Sequence, residues 1–258
     1  MLTSERKAMI SARLRQDGRI VAKTLAEEFG LSEDTIRRDL REMAADGLLT
    51  RVHGGALPRE PTLADYDART RLLTDEKRLL AQAAVTIVQP GDFIFIDGGS
   101  TNLELARALP RHFPFTVATH SPTIASAFEH HSQAEIMLVG GKIYRHSMVA
   151  TGAMALEAIS RIRIDLFFLG VTGIHPLYGL TTGDMEEATI KRAIAGQARE
   201  TWVLATTEKL DAASPVTILP LTQLTGVFVR DGISSAQAAM FTDAGVQLLG
   251  VRPAGAAS

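Results

Sequence analysis

The stretch of the chain richest in chemistry is Phe93-Ile94-Phe95-Ile96-Asp97-Gly98-Gly99-Ser100-Thr101-Asn102. Its four consecutive apolar residues read as a short strand covered on both faces, and the next residues read as a glycine turn that opens a helix. Glycines let backbone N–H groups approach a ligand closely, and the Ser100 and Thr101 hydroxyls add donors at the positive end of that helix. Together these make a cradle for an anion. The spacing is neither GxGxxG nor GK[ST], which disfavours a dinucleotide or ATP. A carboxylate at Asp97 would repel a phosphate, so the expected arrangement puts a phosphate on the Gly99–Asn102 amides and sugar hydroxyls on Asp97. The alternative is a strand–helix turn with no ligand.

Other apolar runs also end in polar turns: Thr119-His120-Ser121, Gly140-Gly141-Lys142, Gly170-Val171-Thr172-Gly173 and Thr206-Thr207-Glu208-Lys209. Ligands of open parallel sheets bind beyond the carboxyl ends of the strands, so these turns are expected to converge with Gly98 and its neighbours on one edge. Lys142 and Lys209 are candidate phosphate counter-charges, each weighed against being a solvated surface lysine. Glu186 is a candidate acid at the same edge. Lys191 either faces the pocket or pairs with Glu187 at i,i+4.

A second constellation lies near the N-terminus. Residues 3–16 predict a helix capped by Thr3 or Ser4, and Ala22–Phe29 a second, closed by Gly30. Ser32 then reads as the N-cap of a third, with Glu33 and Asp34 in its first turn, stopping at Gly47. On the third helix Ile36, Leu40 and Met43 share one face, while Arg37, Arg38 and Arg41 cluster on another, flanked by Thr35. A helix, a short turn and a helix bearing outward arginines is the helix-turn-helix arrangement that enters the DNA major groove. Leu48–Gly55 reads as a hairpin wing carrying Arg51 and His53 near the phosphates. The competing reading is a solvated helix surface whose arginines pair with Asp39 and Glu42. Residues 1–60 hold 11 Lys+Arg against 10 Asp+Glu. So little excess charge predicts weak binding by one copy, and tight binding only by an oligomer.

The elements around these motifs predict two units. Residues 1–57 form the small helical one, 58–74 a proline-bearing linker, 75–250 the larger one, and 251–258 a frayed tail. In the larger unit, helical patterns at 75–88, 101–109, 122–130, 152–160, 184–199 and 234–244 alternate with apolar runs. Those runs are 93–96, 115–118, 135–139, 164–169, 201–205, 226–229 and 246–249. Such alternation predicts an open, mostly parallel α/β sheet. The 258 residues are 46% hydrophobic and 22% charged, with a formal charge of −2 and no cysteine. That excludes a polycation, a disulfide scaffold, thiolate catalysis and cysteine-ligated metals, and the scattered histidines predict no metal site. No apolar run has the length of a signal peptide or of a membrane span, which needs roughly 18 residues. The expectation is a cytoplasmic chain with no membrane contact and no cofactor.

The stretch VAKTLAEEFGLSEDTIRRDLREMAADGLLTRVHGGA resembles the N-terminal signature of the DeoR family of bacterial transcription regulators, in which a serine-capped TIRRDL helix and an R-x-H-G-G-A wing recur together. The order DGGST, ATHS, LVGGK, GLTTGDMEEATIK and TTEKL is similar to that family's C-terminal sensor domain, over nearly all of residues 75–250. The resemblance implies a winged helix-turn-helix joined to a domain like the sugar-phosphate isomerases, binding a phosphorylated sugar. It carries over at Asp97, Gly99, Ser100, Thr101, Thr119, Gly140, Gly141 and Lys209. The chain departs from the family at His120, where Asn is usual, and at Thr206, where Asp is usual; both changes are expected in the pocket.

These readings lead to a repressor of a carbohydrate-catabolism operon, bound as a dimer or tetramer to a double-stranded operator and released by a phosphorylated sugar or polyol. DNA contacts are expected from Ser32, Thr35, Arg37, Arg38, Arg41, Arg51 and His53. Effector contacts are expected from Asp97, Gly98, Gly99, Ser100, Thr101, Asn102, Thr119, His120, Gly140, Gly141, Lys142, Glu186 and Lys209. The alternative is a phosphosugar isomerase or lyase, with Asp97 or Glu186 as base and the N-terminal unit serving assembly. A third reading is an activator, since the sign of control depends on where the operator lies.

Overall fold

The computed structural model describes residues 2–59 and 66–252. The N-terminal unit runs α1 (Thr3–Asp17), β1 (Ile20–Val21), α2 (Ala22–Phe29), α3 (Glu33–Ala45), β2 (Leu49–Val52) and β3 (Gly55–Pro58). Its core is built from Ile10 and Leu14 of α1, Leu25 of α2, and Ile36, Leu40 and Met43 of α3. The β2–β3 hairpin turns at His53-Gly54, where Gly54 takes φ +78. β1 adds to β3 as a third strand, a two-residue pairing too short to leave a periodic signal. Neither Thr3 nor Ser4 caps α1. Leu2 is the cap, and Glu5 accepts its backbone N–H at 3.0 Å, so the first turn is closed from inside the helix.

The expected linker is partly helical, forming α4 (Tyr66–Arg71), and Pro58 belongs to β3. Residues 60–65, and 253–258 of the expected frayed tail, lie outside the described residues; Val251 ends a strand.

The larger unit continues with α5 (Thr74–Val85), β4 (Phe93–Ile96), α6 (Ser100–Ala108), β5 (Phe115–Thr119), α7 (Pro122–Ala127), β6 (Ala134–Leu138), β7 (Lys142–Tyr144), β8 (Val149–Thr151) and α8 (Ala153–Ser160). It is completed by β9 (Ile164–Phe168), β10 (Gly173–His175), β11 (Gly179–Thr182), α9 (Met185–Ala195), β12 (Ala198–Ala205), β13 (Val216–Leu219), β14 (Gly226–Arg230), α10 (Ser235–Thr242) and β15 (Gln247–Val251). Seven strands form one sheet in the order β15-β14-β12-β9-β4-β5-β6, every pair parallel. Successive strand residues alternate between two cores. Phe95 and Phe167 pack on one face, while Ile94, Ile96, Leu166 and Phe168 pack on the other. Burial on both faces is why β4 and β9 read as unbroken apolar runs.

The helix expected over 184–199 ends at Ala195, and β12 begins at Ala198. The hairpin β7–β8 and the antiparallel group β10-β11-β13 leave no clear pattern in the sequence, because three- and four-residue strands beside glycine turns carry too little alternation. The strand order reverses between β4 and β9. The crevice at that switch point, beyond the carboxyl ends of the strands, is where open α/β sheets bind ligands.

Candidate functional site

A cavity of about 250 Å³ lies at this switch point. One wall is Gly98–Asn102, after β4; another is Leu169–Thr172, after β9; Leu204, Glu208 and Lys209 close it from β12. Gly99 takes φ +124 and offers α6 no side-chain cap. Among the described residues, the amides of Gly99, Ser100, Thr101 and Asn102 find no acceptor. A helix start left this way attracts an anion. Gly170 is required by close approach, since a Cβ there would sit 2.5 Å from the Gly98 carbonyl oxygen.

Asp97 lies behind the cradle, fully buried. Its Oδ1 accepts from the Gly98 N–H at 2.7 Å and faces His120 Nε2 at 2.7 Å. Its Oδ2 accepts from the Gly170 N–H at 2.8 Å and from Lys191 Nζ at 2.9 Å. Both oxygens are thus occupied, which conflicts with the expected contact to sugar hydroxyls: Asp97 ties β4, β5, β9 and α9 together. Burial alone would raise its pKa; the Lys191 charge and the His120 hydrogen bond outweigh that and hold it at about 2. Lys191 also donates to the Gly170 carbonyl at 2.6 Å and pairs with Glu187 at 3.2 Å. Its two alternatives are therefore both realised, for it makes the i,i+4 pair and lines the cavity as well. Burial works to lower the Lys191 pKa, and Asp97 and Glu187 reverse this, leaving it raised.

Among the described residues, five of the lining side chains are cationic (Arg59, Arg69, Lys77, Lys191, Lys209) and two are acidic (Glu187, Glu208), with Asp97 behind the wall on Lys191 as a third carboxylate. Glu187 is taken by Lys191 and by the Thr182 hydroxyl, which donates at 2.6 Å. Lys77 donates to the carbonyls of Arg69 at 2.5 Å and Leu72 at 2.6 Å, which anchors α5 under the cavity. Lys209 has no carboxylate within ion-pair distance among the described residues. Burial pushes its pKa down to about 8, with Glu208 opposing and Lys77, Arg69 and Lys191 adding to the fall.

Of the expected effector residues, Gly98, Gly99, Ser100, Thr101, Asn102 and Lys209 line the cavity. Asn102 has a second task, donating through Nδ2 to the carbonyls of Asp97 at 3.1 Å and Phe168 at 2.9 Å. Thr119 and His120 are buried behind it. Thr119 accepts the Ser121 N–H at 3.1 Å, and His120 Nδ1 meets the Ala150 carbonyl at 2.9 Å. Thr206 is buried there too, so neither departure from the family pattern reaches the cavity surface. Gly140, Gly141 and Lys142 are exposed on the β6–β7 turn and do not line it. A Cβ at Gly141 would lie 2.7 Å from the Thr151 carbonyl oxygen, so this glycine serves hairpin packing. Glu186 is exposed and accepts from the Thr151 hydroxyl at 3.2 Å, also outside the cavity. Sequence reasoning missed Arg59, Arg69, Lys77, Ser147 and Glu187; the cations around the linker were the one available signal.

In the N-terminal unit the Ser32 hydroxyl accepts the Thr35 N–H at 3.2 Å and meets the Thr35 hydroxyl at 2.8 Å, so both build the α3 cap. The acids that could have neutralised the arginines face α1. Asp39 is buried and takes Arg6, with Nη2 at 2.9 Å, while Glu42 pairs with Lys7 at 2.9 Å. Arg37 pairs with Glu33 at 2.7 Å. Arg38 and Arg41 are exposed and have no ion-pair partner among the described residues. Arg37, Arg41, Arg51 and His53 line one shallow concavity between α3 and the wing. One face of α3 is thus tied down by ion pairs and the opposite one presents positive charge.

Among the described residues no group of His, Asp and Glu side chains is placed to hold a metal, and no helix is long and apolar enough to cross a membrane. Residues 6–62 match the DeoR-like helix-turn-helix domain, and residues 73–231 the DeoR C terminal sensor domain. The chain is 31% identical to a putative aga operon transcriptional repressor of Escherichia coli O157:H7, over 96% of this chain and 93% of that protein. It is 28% identical to a glycerol-3-phosphate regulon repressor of Escherichia coli K12, over 96% and 99% respectively. Among solved structures, ribose 5-phosphate isomerase A of Methanocaldococcus jannaschii is similar with 18% identity and a TM-score of 0.40, covering 53% of this chain and 54% of that one.

Proposed function

Since the chain belongs to the DeoR family of transcriptional regulators, we propose that it represses a carbohydrate-catabolism operon and leaves its operator when a phosphorylated sugar or polyol fills the cavity between β4 and β9. The observation that carries this reading is the uncapped start of α6, which shares with Lys209 a cavity whose described lining side chains include five cations and two acids. The phosphate sits on the Gly99–Asn102 amides and on Lys209, and the sugar or polyol chain lies along Leu169–Thr172. The name of one relative, a glycerol-3-phosphate regulon repressor, supports the same ligand class. A head with nearly balanced charge reads its operator in pairs, as a dimer or tetramer, in the cytoplasm with the chromosome. Catalysis is disfavoured because the buried carboxylates Asp97 and Glu187 are both held by Lys191, so neither is free to take a proton from a sugar. Incubation with ribose, fructose and tagatose phosphates is expected to yield no isomerised product.

A thermal-shift screen of phosphorylated sugars and polyols tests the site. A ligand at 100 times its dissociation constant stabilises by about 2.7 kcal/mol. Replacing Ser100 and Thr101 together with alanine removes two hydrogen bonds to a charged group, each worth about 1.5–3 kcal/mol. The variant is expected to keep operator binding and lose release by effector; normal release would move the phosphate elsewhere.

The pH profile gives a second check. A phosphomonoester gains its second charge near pH 6, and Lys209 loses its proton near pH 8. Affinity is expected to peak between these values and to fall above the Lys209 pKa by up to about tenfold per pH unit. Lys209→Ala should bind more weakly throughout, without that alkaline limb. A wild-type affinity that stays flat well above the Lys209 pKa would take Lys209 off the phosphate.

A further inference from the structure

Two cavities share a wall. The second, of about 290 Å³, lies between the N-terminal unit and the sheet domain, with Leu14 and Arg15 of α1 on one side and Leu210 and Asp211 on the other. Arg59 and Glu208 line both cavities. Arg59 directly follows β3, the second strand of the wing. Its Nη2 donates to the Glu208 carbonyl, its own carbonyl accepts the Ala213 N–H at 3.2 Å, and it bridges to Ala212 in parallel fashion. On the same loop Asp211 accepts from Arg15 Nε at 2.8 Å and from Gln237 Nε2 at 3.0 Å. Thr207 donates to Glu76 through its N–H at 2.8 Å and its hydroxyl at 2.7 Å. Residues 207–213 thus present Lys209 to the effector cavity and also hold two anchors of the DNA-reading unit, Arg15 and Arg59.

We propose that Arg59 is an effector ligand contributed by the DNA-reading unit, and that an anion in the cavity fastens the base of the wing to the sensor through it. The inference rests on the cavity being the effector site. In the structure the Arg59 guanidinium is spent on a neutral carbonyl at the cavity wall. A phosphate offers it a charged, two-pronged acceptor, and such bonds are roughly twice as strong as neutral ones. Pro58, its neighbour, is in register with Leu49 of β2, so any pull on Arg59 is delivered to the hairpin that carries Arg51 and His53. The effector then favours the arrangement in which the wing is held to the sensor, and operator binding that needs another arrangement is penalised by the same coupling free energy.

The test uses the full-length chain, with glycerol 3-phosphate and inorganic phosphate as probes, and reads thermal shift and hydrogen exchange together. In the wild type a bound probe is expected to raise the melting temperature and slow exchange across residues 49–57. Arg59→Ala should still be stabilised through Lys209 and the α6 amides, with affinity weaker by about tenfold or more, and residues 49–57 should no longer respond at saturation. Should the alanine variant not fold, Arg59→Lys carries the same comparison, since lysine keeps the charge but cannot make the two-pronged contact. Unchanged affinity, or an unchanged response of residues 49–57, would overturn the role of Arg59 while leaving the site in place. Absence of any wild-type stabilisation would overturn the site, and the role of Arg59 with it.

Discussion

Arg38→Ala combined with Arg41→Ala is expected to abolish operator recognition while leaving the fold intact. The two guanidinium groups are the exposed cations of α3 that no carboxylate among the described residues engages. A bidentate contact from arginine to a base edge is worth about 1–3 kcal/mol. Loss of two in each reading head weakens a paired head by about three orders of magnitude at the lower bound, on the additive approximation. If either arginine instead meets a phosphate, its loss should lower the salt slope by about one and weaken all sequences alike. Fluorescence anisotropy on operator and unrelated duplex across a salt series separates the two cases. Arg37→Ala should cost less, because Arg37 already holds Glu33 at 2.7 Å. Melting temperatures should not move in any of these variants, since all three side chains are exposed. A double variant that binds with wild-type affinity at moderate salt would remove α3 from the groove.

Asp97→Ala should have the largest effect on stability. It strips Lys191 of its nearest carboxylate and leaves His120 Nε2 and the Gly98 and Gly170 amides without an acceptor in a fully buried place. Breaking a buried ion pair from one side costs about 3–5 kcal/mol, a large share of the stability of an ordinary domain, about 5–15 kcal/mol. Glu187 still partners Lys191, which moderates the loss. The same geometry fixes an acid limb. The folded pKa of Asp97, about 2, lies below its ordinary 3.8. Its contribution, on the order of 2 kcal/mol, is therefore fully present above the ordinary value and disappears as the pH falls toward the folded one. Glu187, whose pKa is also lowered although burial opposes it, acts in the same direction. Urea unfolding of the wild type and Asp97→Asn across this acid range should show a steeper loss in the wild type. Parallel curves would mean that the Asp97 charge is not coupled to folding.

The expected and observed sites part company wherever partners come from distant strands. The Gly98–Asn102 cradle is legible because the strand, glycine turn and helix start that make it are contiguous, and Lys209 because its turn follows the end of β12 directly; a local pattern carries its own geometry. Gly140, Gly141 and Lys142 follow a real strand and emerge at the correct edge of the sheet. However, β6 is the outermost strand, two places from β4, or about 10 Å at roughly 4.8 Å per strand. Asp97 fails differently. Its place at the end of β4 is as expected, but its partners come from β5, β9 and α9, and they consume the carboxylate before any ligand can.

The residue pattern alone determined the Ser32 cap, the amphipathic α3 with its arginine face, the wing turn, the parallel sheet and the glycine turn that opens α6. All depend on side chains a few positions apart, where period and backbone preference act directly. Only the tertiary structure decided that Asp39 and Glu42 turn to α1 and leave Arg38 and Arg41 bare, that Lys191 serves Asp97, and that Arg59 reaches the cavity from the DNA-reading half. Those outcomes depend on which strands become neighbours and which helix packs on which. Long-range packing settles that by burying apolar faces, and the charged residues it brings together leave no mark on the local sequence.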